Sequence, residues 1–152
     1  MKRYISFILA AVLLLPALFS CSREETVQVP SGITGQWHLT SWNGKTPRGF
    51  DIYLELLSDG TFNLYQQTET SLYTHLTGNY SSDGSTLSGT YSDGVEWRTS
   101  YGWSLGEGDA SLVLISLDAE SLKSIYTRSD IPDSVRIPHF TKASGEGVVR
   151  FL

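Results

Sequence analysis

The sequence predicts an all-β domain, an eight-stranded antiparallel up-and-down barrel over residues 33–135. Three observations carry that prediction. Apolar residues alternate with polar ones at period two through most of this region, which is the signature of a strand with one buried face. Turn signals recur every 8–12 residues or so, the spacing of all-β folds. No segment after Cys21 carries a helical period. A β-sandwich is the alternative, but eight sequential strands joined by tight turns close well into a barrel, and closure leaves no exposed edge.

The strands follow in order. The first covers about 33–42, with Trp37 and Leu39 on one face. The second, about 50–57, points Phe50, Ile52, Leu54 and Leu56 inward and Asp51, Tyr53 and Glu55 outward. Phe62 and Leu64 continue the inward pattern at 61–68, and Leu72, Thr74, Leu76, Gly78 and Tyr80 share a face at 71–80. Leu87, Gly89 and Tyr91 do so at 85–91. The sixth strand, 95–105, is the longest, with Val95, Trp97, Thr99, Tyr101, Trp103 and Leu105 inward. Strands at 110–117 and 121–128 supply Leu112, Leu114, Leu122, Ser124 and Tyr126. Ser58-Asp59-Gly60, Ser82-Asp83-Gly84 and Ser92-Asp93-Gly94 separate strands, as does Asn43-Gly44. Asp-Gly suits type I′ hairpins, in which both central residues take positive φ. Beyond Ser129, residues 131–136 fit one helical turn with Pro132 near its start, and residues 136–152 read as a tail whose apolar end, Val148–Leu152, either caps the barrel or stays loose.

The start of the chain has a different character. Lys2 and Arg3 precede an apolar run, Ile5 to Leu15, and a small residue, Ser20, precedes Cys21. This is the layout of a secretory signal over residues 1–20; the run is short for a membrane span and Pro16 interrupts it. Cys21 is the single cysteine of the 152 residues, so no internal disulfide is available to it. Residues 21–32 are polar and proline-marked, and read as a tether. Loss of Lys2 and Arg3 with the signal takes the formal charge from −5 to −7. No cluster of basic residues remains, which argues against a nucleic-acid partner.

Leu18-Phe19-Ser20-Cys21 resembles a bacterial lipobox. The resemblance implies cleavage before Cys21 and lipidation of Cys21 by diacylglycerol and an N-acyl chain such as palmitate, each buried CH₂ adding about 0.8 kcal/mol of membrane affinity. Ser22 stands after the cysteine where inner-membrane lipoproteins have aspartate. Ser22-Arg23-Glu24-Glu25 is similar to surface-export signals of some Gram-negative commensals. The implied location is the outer membrane, lipid-anchored, with surface exposure possible in that scheme.

Within the domain, Gly35-x-Trp37, Asp59-Gly60-Thr61-Phe62, Gly78-x-Tyr80, Leu87 to Gly94 and Tyr126-Thr127-Arg128 with Ile131-Pro132 occur in order behind the lipobox. Together they resemble the lipocalin-like lipoproteins of Gram-negative bacteria. The resemblance implies a barrel shut at one end by Trp37 of the first strand and Arg128 of the last, beside Gly35. A guanidinium over an indole gains about 0.5–2 kcal/mol. It also implies a cup that holds a small apolar ligand.

Motifs of catalysis are missing from the sequence. His38, His75 and His139 lie far from one another and from metal-ligand spacing, so no metal site is expected; His38 and His75 fall on the outward face. There is no G-x-S-x-G elbow and no phosphate loop. No cofactor is expected, and the domain reads as non-enzymatic. Its aromatic content points elsewhere. Trp97, Tyr101, Trp103, Tyr80 and Tyr91 are the candidate cup, with tyrosine hydroxyls as the few polar contacts. Trp42, Tyr53, Tyr65 and Tyr73 fall on the opposite face. The alternative function is an interaction module, in which a filled barrel presents loops or these outer rings to a glycan or a protein.

Overall fold

The computed structural model describes residues 32–68, 70–119, 122–137 and 149–152. The signal, Cys21 and most of the tether lie outside them, as do His139 and most of the tail. Eight strands form one closed antiparallel barrel in chain order. They are β1 (Gly35–Trp42), β2 (Asp51–Leu56), β3 (Thr61–Gln67), β4 (Thr74–Asp83), β5 (Thr86–Tyr91), β6 (Tyr101–Leu105), β7 (Ser111–Ser116) and β8 (Lys123–Arg128). Strand β8 returns to β1, pairing Arg128 with Trp37 and Tyr126 with Leu39, so every edge is hydrogen-bonded. A short 3-10 turn spans Glu107–Asp109, and one helical turn, α1, spans Asp133–Arg136.

The inward faces meet in one core. Trp37, Leu39, Ile52, Leu54, Leu56, Phe62, Leu64, Leu87, Leu112, Leu114 and Tyr126 are all buried. Period two places them there, and the barrel is narrow enough for their side chains to fill it.

The closed end is held by an arginine. Arg128 lies over the Trp37 ring, its guanidinium carbon 4.1 Å from the centroid. Its nitrogens donate to the carbonyls of Gly32 (3.1 Å), Thr34 (3.0 Å) and Asp109 (3.2 Å). Trp37 Nε1 donates to Ile33 O at 2.8 Å. Gly35 takes φ +134°, and a Cβ there would overlap Arg128 Nη1. Only glycine gives both the backbone angle and the space.

Local chemistry departs from the expected pattern in four places. The type I′ turn forms at Asn43-Gly44, where both φ are positive (51° and 75°) and Trp42 and Lys45 exchange backbone bonds. In the three Ser-Asp-Gly turns only the glycine is left-handed. Asp59 instead accepts from Thr61 N (2.9 Å) and Thr61 Oγ1 (2.6 Å), bonds that hold its carboxyl below the usual range.

The expected long sixth strand is shorter. Glu96 pairs with Thr90 and Trp97 N donates to Gly89 O, but Tyr101 pairs with Leu87. Two more residues lie between Trp97 and Tyr101 than the facing stretch of β5 can match, so Arg98–Ser100 leaves the ladder. Val95, expected inward, is exposed.

A register shift between Leu39 and Ser41 breaks the alternation of β1. It sets Trp42 opposite Ser124, so Trp42 turns toward the barrel mouth rather than outward.

Finally, Tyr53 and Tyr65 are buried on the outside of the barrel under Ile131 and Val135. Glu55 anchors this cover, accepting from Gln36 (3.0 Å), Asn63 (2.8 Å) and Arg136 (3.1 Å). Isolated α1 is far too short to be stable alone, and packing on the two rings holds it.

Candidate functional site at the open end of the barrel

Strand direction gives the barrel two unlike ends. Strands β1, β3, β5 and β7 end, and β2, β4, β6 and β8 begin, at the end opposite Trp37. This end surrounds a cavity of about 430 Å³. Its wall is largely aromatic and aliphatic, with Trp42, Phe50, Tyr101, Leu122 and Phe151. Ser116, Ser124, Arg98 and Asp118 supply polar groups. Trp42 and Phe50 meet edge to face at 5.5 Å. The size and the sparse polar groups suit one small, mostly apolar molecule.

The five candidate cup residues separate along the barrel axis. Tyr101 lines the mouth cavity. Tyr91 and Trp97 lie deeper in the core, Trp97 edge-on to Phe62 (5.2 Å) and Tyr101 (6.1 Å). A Cβ at Gly89 would enter the Trp97 ring, so that glycine makes room for the indole. Tyr80 and Trp103 are not part of the mouth. Tyr80 donates to Leu57 O at 2.7 Å and ties the β2–β3 turn, with burial pushing its pKa up to about 12. Trp103 Nε1 donates to Ser82 Oγ at 3.0 Å, beside the β4–β5 turn.

Four residues the sequence reading did not assign to the site are Trp42, Gln66, Phe151 and Leu152. Gln66 is 1% exposed. It shares the inward parity of Phe62 and Leu64, and a glutamine on an apolar face was the available signal, because a buried amide must find partners. Those partners are the backbone of Val149–Leu152, which enters the barrel from the open end. Gln66 Nε2 donates to Val149 O, and Phe151 N donates to Gln66 Oε1 at 3.1 Å. Leu152 is 2% exposed within the core, and Tyr91 Oη donates to its carbonyl at 3.0 Å. Arg150 lies over the Tyr91 ring (4.7 Å) and pairs with Asp93.

Burial raises the pKa of Tyr91, Tyr101 and, most of all, Tyr126. All three stay protonated donors at neutral pH. Among the described residues, Tyr126 Oη, Trp97 Nε1 and Arg150 Nε are buried with no hydrogen-bond partner. Tyr126 and Trp97 thus place two unpartnered donors in the core, whose other buried polar side chains include Gln66, Ser116 and Ser124.

The outer face holds a second polar group. His38 Nε2 lies 2.7 Å from Asp51 Oδ1, Tyr73 Oη donates to Asp51 Oδ2, and the His38 ring stacks on Tyr53 at 4.4 Å. His75 stacks on Tyr65 at 4.4 Å and is half-buried rather than free in solvent; desolvation lowers its pKa. These bonds join neighbouring strands and the segment before β4. Among the described residues no group of three His, Cys, Asp or Glu side chains is placed to hold a metal ion. No protein-family model matches the chain, and no curated protein matches it.

Proposed function

We propose that this protein is a lipid-anchored lipoprotein of the outer membrane with a lipocalin-like barrel. In this reading the barrel binds a small apolar ligand at its open end and performs no catalysis. The observation that carries the binding role is the mouth cavity of about 430 Å³, walled by Trp42, Phe50, Tyr101 and Leu122. Apolar surface removed from water contributes roughly 25 cal/mol per Å², so a mostly apolar molecule gains most of its affinity from such walls. Arg98 and the two serines orient it. Anchoring rests on the lipobox at Leu18–Cys21, and with the cysteine acylated the open barrel faces molecules in or near the envelope.

The test is a titration of the mature domain with palmitate, followed by tryptophan fluorescence. Trp42 lines the cavity, so a saturable change is expected. A flat titration with palmitate and with a porphyrin overturns ligand binding at this end. It would favour the second reading, an interaction module that presents its rim to a glycan or a protein. One observation speaks for that alternative: below the mouth the barrel is packed with side chains. The outer rings Tyr53 and Tyr65 give it little support, since Ile131 and Val135 cover them.

A further inference from the structure

The deep part of the cup already has an occupant, and it is the chain itself. Val149–Leu152 lies where a ligand reaching below the mouth would lie. It is held as a ligand is held, by apolar burial and a few directed polar contacts. Phe151 packs near Phe50 (6.0 Å) and Trp42 (6.3 Å), Leu152 is buried in the core, and the backbone is read by two protein side chains. Gln66 provides both a donor and an acceptor, so it pairs with the segment as a neighbouring strand would. Tyr91 donates to the Leu152 carbonyl, and Asp93 holds Arg150 at the rim. None of these contacts is needed to close the barrel, whose strands complete their pairing without the segment.

We infer that Val149–Leu152 is an intramolecular plug that competes with the ligand for the deep cup. This deepens the binding role proposed above and rests on it for the competing ligand. The matching chemistry follows from the seat: an apolar body carrying a hydrogen-bond acceptor. The acceptor replaces the Leu152 carbonyl at Tyr91, with the idle donors Tyr126 and Trp97 in the same core. The seated plug lowers the apparent affinity in proportion to the fraction of molecules whose plug is out, because only those are competent for deep binding.

The experiment compares the full chain with its F151S/L152S variant. Palmitate is the probe, and so is a synthetic acetylated peptide of sequence VRFL. The variant is expected to bind palmitate at least about tenfold more tightly than the native protein. The labelled peptide is expected to bind the variant, and palmitate to displace it. Equal palmitate affinity in both proteins, with no peptide binding, overturns the plug and leaves the binding role standing. Peptide binding without palmitate binding to either protein does the reverse. Should the double variant fail to fold, D93A decides. It frees Arg150 and removes one turn bond, from Val95 N to Asp93 Oδ1, while leaving the cup walls unchanged, and it must tighten palmitate binding by about threefold or the plug is refuted.

Discussion

Replacing Gly35 by alanine tests how the closed end is built, because one residue there controls two energies. The first is backbone strain. A φ of +134° is open to glycine and poorly open to alanine, which costs about 1–3 kcal/mol. The second is the loss of Arg128, whose Nη1 occupies the space an alanine Cβ would take. Arg128 is solvent-exposed, so its contacts belong at the low end of their ranges. The cation–π contact is then about 0.5–1 kcal/mol and each of the three carbonyl bonds about 0.5 kcal/mol. Together they come to about 2 kcal/mol. G35A should therefore destabilise the domain by about 3–5 kcal/mol and R128A by about 2 kcal/mol. The double variant should cost no more than G35A alone, a coupling of about −2 kcal/mol, since the alanine has already displaced the arginine. Urea unfolding followed by tryptophan fluorescence measures all three, with unchanged m-values as the check that the transition stays two-state. Additivity within about 0.5 kcal/mol would refute the reasoning, because it would mean that Gly35 and Arg128 act independently.

Three further outcomes follow from the core and the outer face. Trp37→Ala empties a fully buried indole site and should cost about 3–5 kcal/mol in the same assay; a change under 1 kcal/mol would remove Trp37 from the core. Tyr126→Phe deletes a buried hydroxyl with no partner among the described residues, so stability should hold or rise by about 1 kcal/mol, and a clear loss of stability would show that the hydroxyl is bonded. His75 has a lowered pKa in the folded state, because burial disfavours its charged form, while the unfolded chain titrates near the ordinary 6.5. The unfolded state thus binds the proton more readily. His75 leaves stability intact above pH 6.5 and withdraws it as pH falls through that value toward the lower folded pKa. Thermal melts from pH 7.5 to 5 should show a smaller fall in H75F than in the native protein, and parallel curves would exclude His75 as a contributor.

The legible features were those set by near neighbours in the chain. Alternation at period two named the inward residues from Phe50 to Tyr126 correctly in most strands, because each strand presents one face to a single core. Turn dipeptides placed the breaks for the same reason, although Asp59 answers to its own bond with Thr61 rather than to a type I′ angle. The illegible features depend on what lies across the barrel. Trp42 turns to the mouth through a register shift, and shifts arise from pairing with β8, some eighty positions away in sequence. Arg98–Ser100 leaves its strand only because the facing stretch of β5 is two residues shorter.

The site shows the same division. Tyr91, Trp97 and Tyr101 were recognisable as inward aromatics, yet depth along the axis is set by strand tilt, and tilt separated them from Tyr80 and Trp103. Gln66 went unassigned although it is an amide on an apolar face, because its partners, the backbone of Val149 and Phe151, lie more than eighty residues on. By itself the sequence determined an all-β chain, its strand order and the composition of its core, since these follow from local period and turn chemistry. Only the tertiary structure decided which end stays open and which segment fills it. Those outcomes depend on contacts between distant residues, whose register no local pattern specifies.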